Sequence, residues 1–314
     1  MSHVNQGLWY RQYGTPQEVL QLEKHNLAEL APGQIRVKML CAPINASDLI
    51  PITGAYRHRV TALNVAGYEG VGIVCETSDN SSLLNKRVLP LRSEGTWQEY
   101  VTCNAPLAIP VPSDIDHNLA SRAYINPVAT WLMLKHFNPH DKHVIVTAAG
   151  SDSALLLMQW AKWLGARSVT GIIRAPYQEV LLSSMGIHSI HESEVDLLKG
   201  CAQQSEVVYD AVGGHLAETL ISALPPESNF VSYGLLSGQP FKQHLTLAKT
   251  HWFHVRNYLP DMNIEQWQAM FQGIWPLLKQ SVLSKPEEIP FQHWKEAIDL
   301  YYQSNRQRKP VLVF

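Results

Sequence analysis

The sequence lacks the features that mark membrane, disulfide-bonded and nucleic-acid-binding proteins. No stretch approaches the roughly 18 uncharged apolar residues that a membrane-spanning helix requires. The four cysteines lie far apart and form no CxxC pair, so neither a zinc knuckle nor a disulfide framework is indicated. The formal net charge of -2 gives no electrostatic basis for binding nucleic acid.

The N-terminal residues also lack the apolar core of a secretory signal peptide. The composition, 46% hydrophobic and 17% charged, is that of an ordinary globular protein. We therefore expect a cytoplasmic protein with reduced cysteines. Its expected partners are small molecules rather than membranes or nucleic acid.

The pattern of predicted elements changes once along the chain, near Asp114. Before it, Pro and Gly separate short strand-like segments, which predict a partly open β-barrel. After it, strands alternate with helices, which predicts a parallel sheet with helices on both faces. Beyond Pro260 the chain turns helical again and ends in a short strand, KPVLVF. We predict a β-rich domain over 1–118, a nucleotide-binding domain over 119–260 and a return segment over 261–314 that completes the first domain.

Glycine is scarce where a dinucleotide-binding turn needs it. The stretch VIVTAAGSDSALLLMQWAKWLGA has the strand, loop and helix of that turn, but its loop keeps only Gly150. The neighbouring residues are small, and Ser151 and Ser153 carry hydroxyls that can donate to a phosphate. Asp152 is the difficulty, because a carboxylate repels a pyrophosphate. Two interpretations stay open: a phosphate loop with Asp152 turned outward, or a helix that Asp152 caps, without a cofactor.

An arginine ends the next predicted strand, at the distance from the loop where ribose specificity is set. The segment GIIR finishes at Arg174, with Tyr177 nearby, where an NAD site would place Asp or Glu. A guanidinium suits a 2′-phosphate and can stack on adenine; the alternative is a solvent-facing arginine. Together with the loop, Arg174 favours NADP(H).

Segments over nearly the whole chain, from about Gly7 to Phe314, resemble one family. In order they read APINASDLIPITGAY, AGYEGVGIV, INPVATWLML, TAAGSDSALLLMQWAKWLGA, VVYDAVGG and VSYGLLSGQP. They are similar to the zinc-independent medium-chain dehydrogenases/reductases, closest to the branch of 2-enoyl thioester reductases and quinone oxidoreductases. The resemblance implies an α/β fold with a GroES-like partly open β-barrel domain and a Rossmann-type doubly wound parallel sheet. It also implies a homodimer.

Metal catalysis is not expected. In zinc members of the superfamily a histidine ligand stands where this sequence has Tyr68, and NASDL offers Asp48 but no Cys–His pair. A catalytic zinc needs three protein ligands, which the sequence does not supply. The segment HWFH, with His251 and His254, is more often a surface or cleft-lining pair than a metal site.

The resemblance implies roles for individual residues. Tyr56, in TGAY, matches a tyrosine beside the nicotinamide that protonates or orients the thioester enolate, and its alternative is a turn-packing aromatic. Asn45 would flank the nicotinamide. The candidates for cofactor binding lie in the glycine-poor loop, at strand ends or on the first helix of the cofactor domain: Asn126, Thr130, Gly150, Ser151, Asp152, Ser153, Arg174, Tyr177, Val212, Gly213, Tyr233 and Gly234.

Positive charge directly follows the candidate tyrosine. We expect Arg57 and Arg59 to bind an anionic group of the substrate, and the alternative is a solvated basic turn. The resemblance then implies an NADPH-dependent reductase that transfers hydride to an activated C=C bond, of a 2-enoyl thioester or a related anionic enoyl compound, without metal. Two alternatives stay open: an NADPH:quinone or carbonyl reductase, and a catalytically lapsed binding protein.

Overall fold

The chain forms two compact units in this structure, a computed structural model. It describes residues 4–58, 60–79, 81–242 and 247–314. One unit consists of the residues up to Ile125, Asn263–Lys279 and Ser284–Phe314; the second consists of Asn126–Met262 and Gln280–Leu283. The second unit is therefore inserted into the sequence of the first.

The N-terminal part of the first unit consists mainly of short strands, as its Pro- and Gly-separated segments predict. Its elements are β1 (Val4–Tyr10), α1 (Pro16–Val19), β2 (Leu20–Asn26), β3 (Gln34–Pro43), α2 (Ala46–Leu49), β4 (Asn64–Val65), β5 (Val71–Thr77), β6 (Arg87–Leu89), β7 (Tyr100–Asn104), β8 (Ile109–Pro110) and α3 (His117–Ser121). β1 pairs antiparallel with β2 along its whole length and with β4 at its end. Buried Leu8, Ile44 and Trp97 belong to the apolar core of this part.

The second unit alternates strands and helices. Its elements are α4 (Ile125–His136), β9 (His143–Val146), α5 (Asp152–Trp163), β10 (Ser168–Ile173), α6 (Tyr177–Ser184), β11 (His188–His191), α7 (Val195–Ala202), β12 (Val207–Asp210), α8 (Gly214–Ala223), β13 (Asn229–Ser232) and β14 (Lys249–Trp252). The strands form a parallel sheet in the order β11-β10-β9-β12-β13-β14. This is the doubly wound order, in which the strand order reverses between β9 and β12 and ligands bind beyond the carboxyl ends of the strands.

The helix α5 lies close to the sheet because of its sequence. Its residues from Ala154 to Ala161 are buried, and Gly165, with a left-handed φ of 86°, follows its end. A Cβ at Gly171 of β10 would lie 2.4 Å from Leu182 Cδ2 and 2.8 Å from Met158 Sδ. Only glycine therefore lets both neighbouring helices approach this strand.

The C-terminal part returns to the first unit. Its elements are α9 (Ile264–Gln280), β15 (Lys285–Pro290), α10 (Trp294–Tyr302) and β16 (Arg308–Val313). β16 pairs parallel with β15 and antiparallel with β3, which gives a sheet in the order β15-β16-β3-β5-β6-β8, with β7 also on β3. The predicted α/β class and parallel sheet are confirmed. None of the described helices combines the length and apolar character needed to cross a bilayer.

Candidate active site

The glycine-poor loop connects β9 to α5. Ala148 has a left-handed φ of 52°, and Ser151 caps α5, because its side chain accepts a hydrogen bond from the N–H of Ala154 at 3.3 Å. The alternative in which Asp152 caps the helix is therefore wrong: Asp152 is the first helical residue, one position too late. It is 8% exposed, so its carboxylate is not turned out to solvent either. The Ser151 and Ser153 hydroxyl oxygens lie 3.3 Å apart.

Gln178, which sequence reasoning missed, joins this loop to the end of β10. Its Oε1 accepts hydrogen bonds from the N–H groups of Arg174 (3.0 Å) and Ala175 (3.1 Å). Its Nε2 would lie 2.0 Å from a Cβ at Gly150, so any larger residue there would displace the Gln178 amide. Gln178 thus brings Gly150 and the backbone of Arg174 together. The Arg174 side chain is exposed, and Tyr177 is half-buried at the start of α6.

Asp210, a second residue that was missed, shapes the loop after β12. It is fully buried and accepts hydrogen bonds from Thr147 Oγ1 (2.8 Å), Val212 N (3.1 Å) and Gly213 N (2.9 Å). Gly213 has φ 73°, and a Cβ there would lie 2.6 Å from the carbonyl oxygen of Gln239. The strand-end aspartate in VVYDAVGG is the signal that could have identified it.

Two of the candidate cofactor residues carry buried hydroxyls that form no short hydrogen bond among the described residues, although Ser153 is near enough to Tyr233 to interact with it. They are Thr130 Oγ1, on α4, and the Tyr233 hydroxyl, just after β13. Burial raises the pKa of Tyr233, and nearby Ser153 lowers it less, so the phenol stays protonated and can donate. Unsatisfied buried polar atoms are rare and require an explanation. A polar ligand at this sheet edge would supply the missing partners, so the residues present fit a dinucleotide.

Asn126 and Gly234 complete the predicted set. Asn126 is half-buried near the start of α4, and Gly234 follows Tyr233. A Cβ at Gly234 would lie 2.9 Å from the carbonyl oxygen of Ala211, so the backbones after β12 and β13 approach each other closely. Val212, which follows Ala211 in the loop after β12, is half-buried.

Asn45 lies in a buried polar network of the first unit. Its Nδ2 donates to Glu69 Oε1 (2.7 Å), its Oδ1 accepts from Lys309 Nζ (2.6 Å), and its N–H donates to Asp48 Oδ2 (2.7 Å). None of the four side chains is more than 6% exposed. Its amide orientation is therefore fixed, with the oxygen towards the lysine.

The carboxyls of this network have raised pKa values. Burial and the neighbouring Glu69 raise the pKa of Asp48 to about 7. Hydrogen bonds from the N–H groups of Asn45 and Tyr68, and the charge of Lys309, lower this pKa but do not offset the rise. Burial also raises the pKa of Glu69, although Glu69 accepts hydrogen bonds from Ile125 N (2.7 Å) and Tyr124 N (3.1 Å). The motif GYEG could have pointed to Glu69; no local signal points to Lys309.

Tyr56 and Arg57 lie in a turn of the first unit. The turn follows Gly54, whose φ is 85°, and its hydrogen bonds run from Arg57 N to Gly54 O (3.0 Å) and from Val60 N to Tyr56 O (2.9 Å). Tyr56 is half-buried and Arg57 is exposed. Arg59 lies outside the described residues. The roles of all three stay predictions.

The histidine pattern HWFH has a structural explanation. His251 lies in β14, and its Nε2 is 2.9 Å from Asn229 Oδ1 on the neighbouring strand β13. Burial, and then the charge of Lys249, lower its pKa. Within the described part of the chain, no group of three or more His, Cys, Asp or Glu side chains is placed to hold a metal ion.

Known proteins resemble this chain along most of its length. No family model matches it. The human mitochondrial enoyl-[acyl-carrier-protein] reductase is 28% identical over 328 residues, which cover 97% of this chain and 87% of the relative. The Xenopus tropicalis enzyme of the same name is 30% identical over 250 residues, 74% of this chain and 71% of the relative. A Bacillus thuringiensis protein assigned as an NADPH:quinone reductase superposes with a TM-score of 0.93 at 31% identity, over 100% of both chains.

Proposed function

The chain belongs to the medium-chain dehydrogenase/reductase superfamily, in the branch of enoyl reductases and quinone oxidoreductases, and on this basis we propose that it reduces an activated C=C bond with NADPH. The observation that carries this function is the likeness to enoyl-[acyl-carrier-protein] reductases over 97% of the chain. The protein is an NADPH-dependent oxidoreductase. Its proposed substrate is a 2-enoyl thioester or a related anionic enoyl compound.

A quinone is the second candidate substrate. It is favoured by the full-length likeness to the Bacillus thuringiensis protein, at 31% identity. Quinone and enone reduction share the first chemical event, delivery of hydride to an electron-poor carbon. Both reactions leave negative charge on an oxygen, but the anion from a quinone is an aromatic hydroquinone anion and a weak base. The enolate from an enone is strongly basic, and its α-carbon must still take up a proton.

The second unit would bind the cofactor, which supplies the hydride when bound. Arg174, exposed after β10, would pair with the 2′-phosphate, because a guanidinium binds phosphate oxygens through parallel N–H bonds. The N-terminus of α5, with its Ser151 cap, would direct positive potential to the pyrophosphate. The buried hydroxyls of Thr130 and Tyr233 would donate to polar atoms of the nicotinamide half.

The first unit would supply the groups that act on the substrate. We assign to the Tyr56 hydroxyl the donation of a hydrogen bond or a proton to the enolate oxygen, where charge develops during reduction. Asn45 acts through its fixed amide, since Glu69 and Lys309 take one donor and the acceptor and leave one N–H for a ligand.

The cofactor step is tested by titration with NADPH and NADH, followed by nicotinamide fluorescence. We expect Arg174→Ala to weaken NADPH binding about tenfold or more, and NADH binding much less. Arg167→Ala is the matched control, because Arg167 is also exposed but precedes β10, at the opposite end of the strand. Failure of both nucleotides to bind at millimolar concentration would contradict the enzymatic proposal and favour a lapsed binding protein.

The chemical step is tested with crotonyl thioester and a small quinone. Tyr56→Phe should slow thioester reduction by about 100-fold and quinone reduction far less, because the enolate is a much stronger base than the hydroquinone anion and depends more on a donor. Tyr302→Phe, a change at an exposed tyrosine of the same unit, should alter neither rate. Equal rates for Tyr56→Phe and the unchanged protein with the thioester would refute the role of Tyr56.

Homodimer formation and a cytoplasmic location are further parts of the proposal. The names of the relatives bear on the location: the human and the Xenopus tropicalis enoyl-[acyl-carrier-protein] reductases are both named mitochondrial. Light scattering and cell fractionation test the two statements separately.

A further inference from the structure

A cavity of about 120 Å³ opens within the first unit. Its wall combines three tyrosines with an arginine and a buried carboxyl: Tyr10, Tyr68, Tyr124, Arg92 and Asp48. Neither Tyr56 nor Arg57 is among the described residues that line it. The volume suits a small polar group, and the wall offers it hydrogen-bond donors from Arg92 and the tyrosines.

Arg92 stands on this wall in an unusual backbone conformation. Its φ is 55°, a left-handed value that costs energy for any residue with a Cβ. Gly or Asn would adopt this left-handed φ at a lower energetic cost than Arg, so the turn by itself does not explain an arginine at this position. The guanidinium carbon lies 5.6 Å from the ring centroid of Trp267. That ring is fully buried and fixed by its N–H bond to Leu107 O at 3.0 Å, so it holds the arginine in place.

The charges around Arg92 leave it able to accept an anion. Among the described residues no carboxylate pairs with its guanidinium. Glu94 also lines the cavity and contributes a negative charge, but its Oε1 is held by a hydrogen bond from Thr102 N at 2.8 Å instead of an ion pair with Arg92. Both oxygens of Asp48 accept backbone N–H bonds, and its raised pKa reduces its negative charge near neutrality.

The tyrosines add neutral donors. Burial, and then the neighbouring Tyr68 and Tyr13, raise the pKa of Tyr10 to about 12, so its hydroxyl keeps its proton at working pH. Tyr68 is 40% exposed at the same wall. A bound oxygen anion would therefore meet the Arg92 cation and uncharged O–H donors, with the Glu94 carboxylate also on the wall.

We propose that this cavity is a subsite for a carboxylate carried by the substrate itself, with Arg92 as its anchor. The inference deepens the proposed function and rests on it, because it names the substrate class: a short, unsaturated carbonyl compound that ends in a carboxylate. The planar guanidinium matches the two oxygens of that group. A hydrogen bond to a charged group is strong enough to change affinity roughly 10-fold to 100-fold.

Two matched enones test the subsite. Ethylideneacetone is neutral, and β-acetylacrylate carries a carboxylate in place of its terminal methyl group. The C=C bond of acetylacrylate takes up hydride from NADPH and a proton from water, which gives levulinate and NADP⁺. We expect Arg92→Asn to raise the KM for acetylacrylate about tenfold or more relative to that for ethylideneacetone. Asn tolerates a left-handed φ, so this variant should fold.

Levulinate gives a readout that needs no turnover. It should raise the Tm of the unchanged protein with increasing concentration, and should not raise that of Arg92→Asn. Arg92→Lys keeps the charge without the planar fork and should retain part of the effect. Arg11→Asn, which removes an exposed arginine paired with Glu23, is the control and should behave like the unchanged protein.

The outcomes separate the subsite from the proposed function. Equal losses for both enones in Arg92→Asn, or levulinate stabilisation that survives the substitution, would overturn the subsite. Reduction of ethylideneacetone without any stabilisation by levulinate would also overturn it and leave the function standing. Arg92-dependent stabilisation by levulinate, with neither enone reduced, would support the subsite and refute the proposed reaction.

Discussion

Replacing Lys309 by Met would leave the buried network around Asn45 without its cation. Lys309 Nζ donates to Asn45 Oδ1 at 2.6 Å, and its charge lowers the pKa of both Asp48 and Glu69. Lys309 is the buried cation of this network, and removing a buried charge that stabilises neighbouring carboxyls costs up to about 3–5 kcal/mol, the value for breaking a buried ion pair. For a unit of this size that corresponds to a fall in Tm of roughly 6–20 °C.

The loss should depend on pH with a definite sign. Without the ammonium, the carboxyls bind protons more tightly in the folded state. Stability that Lys309→Met has lost at about pH 8 should therefore be partly recovered at about pH 5, where protonation removes the unpaired charge. Urea denaturation at both pH values, followed by tryptophan fluorescence, measures the difference.

Two further variants complete this test. Lys279→Met removes an exposed lysine whose partner Asp114 is also exposed, and should cost at most about 1 kcal/mol at either pH. Combining Lys309→Met with Asp48→Asn should cost less than the sum of the single changes, by about 1–3 kcal/mol. An equal loss at both pH values, together with additive costs, would show that Lys309 contributes only packing and would refute the electrostatic reasoning.

Three other predictions concern single residues. The pKa of Asp48 is about 7 in the folded protein and 3.8 in its ordinary state, so the folded state binds the proton of this carboxyl more tightly than the unfolded state does. Tm should therefore fall as pH rises from about 4 to about 7, and Asp48→Asn should flatten this dependence of Tm on pH. Ser151→Ala should cost about 1 kcal/mol in urea denaturation through loss of the cap, whereas a similar cost for Ser153→Ala would contradict the assignment of the cap. Asp152→Asn should tighten NADPH binding in the fluorescence titration while costing at most about 1 kcal/mol of stability; unchanged affinity would place the carboxylate away from the phosphates.

The second unit could be predicted from local patterns. Each strand from β9 to β12 is followed by a helix, and β9, β10 and β12 are short apolar runs; such alternation permits few topologies. β14 was missed, because Lys249–Trp252 has no apolar alternation and becomes a strand only by pairing with β13. The cap on Ser151 instead of Asp152 was also beyond the sequence, since both residue types cap helices equally well.

The first unit depends on contacts that no local pattern contains. Lys309 and Asn45 are 264 residues apart, and a lysine before an apolar run is usually read as an exposed residue. The left-handed backbone of Arg92 has no sequence signature, because non-glycine residues rarely adopt it. The predicted positive charge near Tyr56 pointed to Arg57 and Arg59, whereas the cavity in the same unit is lined by an arginine that follows an ordinary-looking strand.

The pairing of β16 with β3 has a consequence for biosynthesis. A ribosome completes β3 long before β16, and Lys309, the ammonium group of the buried network, is added 264 residues after Asn45. The inserted unit, whose parallel sheet lies between Asn126 and Met262, can assemble during that interval. Until β16 has been made, a nascent chain therefore exposes an unpaired sheet edge at the end of β3.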